Sequence, residues 1–197
     1  NASIAALVGG GARVARPGAI SLAHRGVLFL DEAPEFSGRA LEALRTPLET
    51  GEVTIARSSS HVRYPARFQL VLAANPCPCG MSGVAGAECT CTPMNVRRYN
   101  ERLSGPVLDR IDIHHRRLPS TRVLSQTTAG EASSVVAARV LEARDRQRRR
   151  LTGTAWSTNG EVPGFHLRGL PSPVSMTLVD DAVRSGRLSA RGVDKVV

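Results

Sequence analysis

Lysine is almost missing from this chain. Of its 26 basic residues only Lys195 is a lysine; the other 25 are arginines. That excludes a polybasic lysine tail and a mid-chain catalytic or Schiff-base lysine. It also excludes a phosphate loop of the Gly-x-x-x-x-Gly-Lys-Ser/Thr type within these 197 residues. Aromatic residues are scarce, at 4%, which argues against base stacking as the main mode of contact with nucleic acid. No apolar run approaches the roughly 20 residues of a membrane helix. The first residues lack the charged, apolar and small-residue segments of a signal peptide, and a first residue other than Met points to a fragment or a processed product. Cysteine is absent except between Cys77 and Cys91. That clustering disfavours a secreted disulfide scaffold and makes the cytoplasm the expected compartment. What is present is ordinary globular content, 42% apolar with a formal charge of +9.

Punctuation and periodicity divide the chain. Residues 1–26, rich in Gly and Ala, read as loops with one short helix. Residues 27–30, Val-Leu-Phe-Leu, are apolar on both faces, as in a buried strand of a parallel sheet. Ser37 predicts a helix cap for 38–49, with Leu41, Leu44 and Leu48 on one face and Gly51 as its stop. Alternation over 52–57 and 61–64 predicts a hairpin. A second buried strand is expected over 68–74. Thr92 and Pro93 begin a helix to about 103, a short helix lies near 105–110, and residues 111–114 read as a third strand. Composition shifts at Pro119. Residues 120–133 read as a linker, followed by a long helix over about 132–151, a second over about 174–185 stopped by Gly186, and a third capped by Ser189. The expected architecture is an α/β domain over 1–119 and a helical domain over 134–197.

Three constellations carry chemistry. Asp31 and Glu32 end an apolar strand, at the edge where open α/β sheets bind ligands. One carboxylate suits a hydrated Mg²⁺ and the other the proton of an attacking water. An acidic turn after a strand is the plain alternative. Asn75, before Pro76, ends the second strand, where its amide suits a water or a phosphate, or simply a turn. Arg110 precedes the 111–114 segment. Its guanidinium suits a phosphate of a neighbouring subunit, or an ion pair with Asp109 or Asp112.

In combination the order is more specific. Strand-Asp31-Glu32, helix and hairpin, strand-Asn75-Pro76, then Leu108-Asp109-Arg110 resembles an AAA+ ATPase core. His24-Arg25-Gly26-Val27-Leu28-Phe29-Leu30-Asp31-Glu32 resembles the Mg-chelatase-like branch. Pro34-Glu35-Phe36, Pro47-Leu48-Glu49-Thr50-Gly51-Glu52, Asn75-Pro76-Cys77-Pro78-Cys79-Gly80 and residues 104–113 narrow it to the YifB/ComM competence subfamily. The resemblance is strong over 3–118 and looser beyond, through 164–167 and 188–192.

It implies a partial AAA+ parallel sheet followed by an α-helical lid. Asp31 and Glu32 match the Walker B pair, Asn75 sensor 1, Arg110 an arginine finger given in trans, and Arg191 the sensor 2 arginine. ATP and Mg²⁺ are the implied cofactors, a hexameric ring the implied assembly, and DNA remodelling or branch migration the implied work. A chelatase motor subunit, which drives Mg²⁺ insertion into a porphyrin, is the nearest enzyme alternative. The family's phosphate loop and its lysine are not in this sequence. The chain alone is therefore expected to bind ATP poorly and not to hydrolyse it. In the family, the strand that carries the loop lies between those matching 68–74 and 111–114. Residues 111–114 are thus expected either to re-pair or to stand apart.

Cys77-x-Cys79 and Cys89-x-Cys91 offer four thiols in fifteen residues. Tetrahedral Zn²⁺ fits such a set, though Cys-x-Cys is tighter than the usual spacing. Disulfides and free thiols are the alternatives. The five histidines have no ligand-like spacing. Arg144, Arg146, Arg148, Arg149 and Arg150 crowd the end of the long helix, where cations complement the helix dipole or meet phosphates. Arg57, Arg63 and Arg67 on or near the hairpin are a second candidate for DNA contact. A non-catalytic, arginine-rich nucleic-acid-binding module with a zinc site is the rival from another class.

Overall fold

Ser3 starts the first element: its Oγ accepts the Ala6 N–H at 3.2 Å and caps α1 (Ile4–Val8). The structure, a computed structural model, describes residues 3–11, 14–56, 61–84, 86–116, 130–169, 176–189 and 192–193. They fall in two compact units, Asn1–Pro119 and Ser120–Val197.

After α1 the chain turns at Gly9 (φ +104°) into β1 (Gly9–Gly10), which pairs antiparallel with β2 (Arg16–Pro17) and leads into α2 (Ala19–Leu22). Residues 1–26 thus hold two short helices rather than one. Each helix has a single apolar anchor in the core, Leu7 and Ile20, too sparse a signal to show as periodicity. Gly18 makes the approach of the two segments feasible. A Cβ there would lie 2.3 Å from the Leu7 carbonyl oxygen and 2.4 Å from the Gly9 nitrogen. Gly18→Ala is therefore expected to destabilise the first unit by more than about 1 kcal/mol. The readout is a lower urea midpoint at unchanged slope; an unchanged midpoint would mean that the two backbones are not in close contact.

β3 (Val27–Leu30) follows as expected, and its side chains divide between two faces. Leu28 and Leu30 are buried, whereas Val27 and Phe29 are 59% and 57% exposed. The expectation of burial on both faces is thus corrected. Among the described residues of the first unit, helices cover one side of the sheet. A 3₁₀ turn (Ala33–Glu35) leads to α3 (Gly38–Glu42), whose cap is Ser37, with the Ala40 N–H donating to its Oγ at 3.2 Å.

The single helix expected over 38–49 is two. α4 (Arg45–Thr50) begins after a break at Ala43 and Leu44. Pro47 is the cause: it has no N–H for the Ala43 carbonyl, and its ring crowds that carbonyl. The apolar face survives the break, with Leu41 and Leu44 fully buried and Leu48 packed against the same core. Gly51 (φ +71°) ends α4.

β4 (Glu52–Ala56) and β5 (His61–Pro65) form the expected antiparallel hairpin. β6 (Gln69–Leu72) then pairs parallel with β3, Val27 opposite Gln69 and Leu30 opposite Leu72. Thr92 Oγ1 accepts the Asn95 N–H and starts α5 (Pro93–Glu101), followed by α6 (Gly105–Leu108). One core joins these pieces: Leu7, Ile20, Leu28, Leu30, Leu41, Leu44 and Val53, with Ala40 and Ala66.

Residues 111–114 are not a strand. The main sheet has the order β3-β6 among the described residues, and Ile113 is 82% exposed. The segment stands apart from the sheet. A strand needs a neighbour for its N–H and C=O groups, and among the described residues no strand pairs with it. The Ile111 N–H instead extends the preceding turn to the Leu108 carbonyl.

The described part of the second unit is helical: α7 (Ser133–Arg150), a 3₁₀ turn (Asn159–Glu161), α8 (Gly164–Arg168) and α9 (Thr177–Arg184). α7 matches the expected long helix. Gly186 (φ +69°) follows α9, and the Gly192 N–H donates to Ser189 Oγ at 3.1 Å. The expected linker over 120–133 lies mostly outside the described residues, as does Arg191.

Candidate functional site

The ladder between β3 and β6 runs on past both strands. Ala73 N–H donates to the Leu30 carbonyl (3.0 Å), and Ala33 N–H donates to the Ala73 carbonyl (2.8 Å). These two bonds hold the exits side by side. Asp31-Glu32 leaves one strand and Asn75 leaves the other at the same edge. All three are exposed, so each presents its polar head to water or a ligand.

Glu32 is unusual in its backbone. It lies in the left-handed region, φ 50°, ψ 43°, a conformation that costs a non-glycine residue about 1 kcal/mol or more. Its own N–H donates to Asp31 Oδ1 at 2.9 Å. The turn is locked from below: Ala33 and Pro34 are buried. Arg102, just beyond α5, donates from Nη1 to the Pro34 carbonyl (2.9 Å) and to Glu35 Oε2 (3.2 Å).

Tyr99 of α5 is the centre of this support. It is 4% exposed and its hydroxyl meets the Asn75 backbone. Burial pushes its phenol above the usual range, and the charges of Glu35 and Glu32 add to the rise. Tyr99, Arg102 and Glu35 were not singled out from sequence as parts of the site. Glu35 lies in the quoted Pro34-Glu35-Phe36, but nothing local links it to an arginine 67 positions away.

Arg110 sits on the same unit in a closed arrangement. Its Nη2 pairs with Glu49 Oε1 and its Nη1 donates to the Pro106 carbonyl. The side chain is 12% exposed, and its Nε is buried without a partner. Arg110 thus has an ion-pair partner in Glu49 of α4, 61 positions away, which sequence proximity did not point to. Arg63 on the hairpin lies 3.8 Å from Glu52; Arg57 lies outside the described residues. In α7, Arg146 and Arg148 pair with Glu142 and Asp145 of the same helix, and no residue of α7 is buried. Two members of that arginine run are thus engaged along the helix.

The four thiols come together. Cys77 Sγ lies 3.4 Å from Cys79 Sγ and 3.7 Å from Cys89 Sγ, Cys79 and Cys89 are 3.6 Å apart, and all four sulfurs lie within 4.8 Å of one another. None is disulfide-bonded. The Ser82 N–H donates to Cys77 Sγ at 3.3 Å and the Gly80 N–H to the Cys77 carbonyl at 2.9 Å, with Gly80 at φ +77°. Hydrogen bonding from the Met81 backbone, then from the Cys77 and Cys91 thiols, pulls Cys79 down to about 6. At Cys91 the Cys79 backbone favours the thiolate, yet proton sharing with the Cys79 thiol, together with burial, pushes it up to about 12.

No helix among the described residues is long and apolar enough to cross a membrane. A parallel strand pair whose adjoining carboxyl ends bear Asp-Glu and Asn places this chain among mixed α/β proteins with a polar site at the sheet edge. Its family is that of the magnesium chelatase subunit ChlI, to which it belongs: the model of that subunit matches residues 1–123, and the model of its C-terminal part matches residues 130–197. An uncharacterised protein of Mycobacterium tuberculosis is 48% identical over 199 aligned residues, covering all of this chain and 39% of that protein. YifB of Escherichia coli is 49% identical over 168 residues, 84% of this chain and 33% of its own length. Competence protein ComM of Haemophilus influenzae is 47% identical over 152 residues, 76% of this chain and 29% of its own. The expected kinship to YifB and ComM is thereby found, and the chain spans well under half the length of these relatives.

Proposed function

We propose that this chain carries the metal-organising and water-activating groups of an ATP-driven motor, a cytoplasmic, ring-forming protein whose intact form remodels DNA by branch migration. The observation that carries the reading is the meeting of Asp31, Glu32 and Asn75 at one edge of two directly paired parallel strands. The donor set fits a magnesium nucleotide on its hydrolytic side. Asp31 would hold the hydrated Mg²⁺, Glu32 would accept the proton of the attacking water, and Asn75 would orient that water or a terminal phosphate oxygen. Arg110 would serve a neighbouring subunit's phosphate as an arginine finger, and Arg191 would contact a γ-phosphate as the sensor 2 arginine. Bound ATP supplies the phosphoryl-transfer energy; these residues position and deprotonate.

Similarity to a protein named for competence supports DNA as the partner, as does the +9 charge. The family's description supports a chelatase motor subunit as the second reading. The experiment is nucleotide binding by the full-length protein, followed with a fluorescent ATP analogue, beside binding to branched DNA over a salt series. Asp31→Ala is expected to weaken Mg²⁺-dependent nucleotide binding at least tenfold, and DNA affinity is expected to change with nucleotide. Salt-sensitive DNA binding that ignores nucleotide would instead establish the arginine-rich binding module.

A further inference from the structure

We propose that Cys77, Cys79, Cys89 and Cys91 bind one structural Zn²⁺, and that this metal holds Asn75 and α5 in register with the Asp31-Glu32 turn. The second half rests on the reading of Asn75 as part of the nucleotide edge; the first half does not.

The sulfur geometry fits the ion. Zinc–sulfur bonds of about 2.3 Å in a tetrahedron put the sulfurs about 3.8 Å apart. The separations here are 3.4, 3.6 and 3.7 Å, with all four within 4.8 Å. A disulfide would need about 2.05 Å. The surroundings fit as well. Four thiolates leave a dication with excess negative charge, and the backbone N–H groups of Met81 and Ser82 are turned onto Cys79 and Cys77. Arg116 lies beside this loop, its Nη2 3.7 Å from where a Cβ of Gly83 would be. Soft thiolates in a closed tetrahedral set select zinc over hard cations.

The position of the cluster gives it a task. Its first ligand, Cys77, is fully buried and follows Asn75 with only the rigid Pro76 between. Its last, Cys91, directly precedes Thr92, the cap of α5. A metal shared by the two Cys-x-Cys pairs therefore ties the exit of β6 to the entrance of α5. Both ends abut the site: Tyr99 of α5 meets the Asn75 backbone, and Arg102 holds the Pro34-Glu35 turn. Loops rich in Gly, Ser and Pro supply little packing to do this instead.

The test uses the 197-residue chain purified without chelator. Elemental analysis is expected to give one zinc per chain. Replacement by Co²⁺ is expected to give the sulfur-to-metal charge-transfer and visible bands of a tetrahedral tetrathiolate. Cys79→Ser and Cys89→Ser are expected to lose the metal. Hydrogen exchange of the wild-type chain, with zinc and after its removal by chelator, reads the second half without any variant. Amides over 73–75 and 94–103 are expected to exchange at least tenfold faster without metal, while the β4–β5 hairpin keeps its protection. Less than half an equivalent of zinc, iron in its place, or a mass loss showing disulfides would overturn the metal site. Stoichiometric zinc with unchanged exchange in both segments would overturn the positioning role. Neither readout involves nucleotide, so failure of either half is distinguishable from failure of the motor reading.

Discussion

The 197-residue chain alone is expected to show no Mg²⁺-dependent ATP hydrolysis, and Glu32→Gln in the full-length protein to slow turnover by roughly 10²- to 10⁴-fold, the range of a positioned general base. The two halves of this expectation have different causes. The chain has no lysine before residue 195, so these 197 residues offer no Gly-Lys-Ser/Thr to cradle the β- and γ-phosphates. The groups proposed for the hydrolytic side, Asp31, Glu32 and Asn75, do share one sheet edge. Glu32 sits at a left-handed turn that a glycine would adopt without strain, and strain retained at a polar edge is a mark of use. Gln at 32 keeps the same backbone and volume, so its folding stability is expected to stay within about 0.5 kcal/mol of wild type. Turnover by the isolated chain, or a Glu32→Gln protein with normal turnover, measured as phosphate release, would refute the assignment.

Glu49→Gln is expected to destabilise the first unit by about 2–3 kcal/mol. That is somewhat below the cost of breaking a fully buried ion pair, because Glu49 is half exposed while Arg110 is 12% exposed. The variant would leave a guanidinium with little water and a weaker acceptor. Arg110→Met removes the charge together with its need for a partner and is expected to cost less. The double variant then reports the coupling between the two sites. Equilibrium urea unfolding measures all three, and a Glu49→Gln midpoint equal to wild type would mean that the pair carries no stability. The pair also constrains the proposed role in trans. In that proposal Arg110 would have to leave Glu49 to reach a neighbour's phosphate.

The elements legible from sequence were those set by local rules. Ser37 and Thr92 cap helices because each side-chain oxygen answers an orphan N–H three residues on. The hairpin of 52–65 and the strand pair of 27–30 and 69–72 followed from β-branched alternation and short apolar runs. What escaped was set by partners far along the chain or by a single atom. Residues 111–114 have strand-like composition but, among the described residues, no strand pairs with them. Pro47 divides a helix whose leucine spacing is unbroken, because one missing N–H outweighs periodicity. At the site, Asp31, Glu32 and Asn75 were readable because strand ends advertise themselves. Tyr99, Arg102 and Glu49 were not, since each acts on a residue far away in sequence that only the fold brings near.

The half-covered strand pair has a colloidal consequence. Parallel sheets are ordinarily sheltered on both sides, whereas here Val27, Phe29 and Val71 face outward and, among the described residues, each strand has one flank without a ladder. Edge strands elsewhere are guarded by lysine, and this chain has none near them. Mutual repulsion from the +9 charge opposes such pairing between two copies. Added salt shortens the reach of that repulsion to about 10 Å at 0.1 M while leaving apolar attraction in place. The same salt that loosens the grip of arginines on phosphate therefore brings the bare sheet of one molecule toward that of the next.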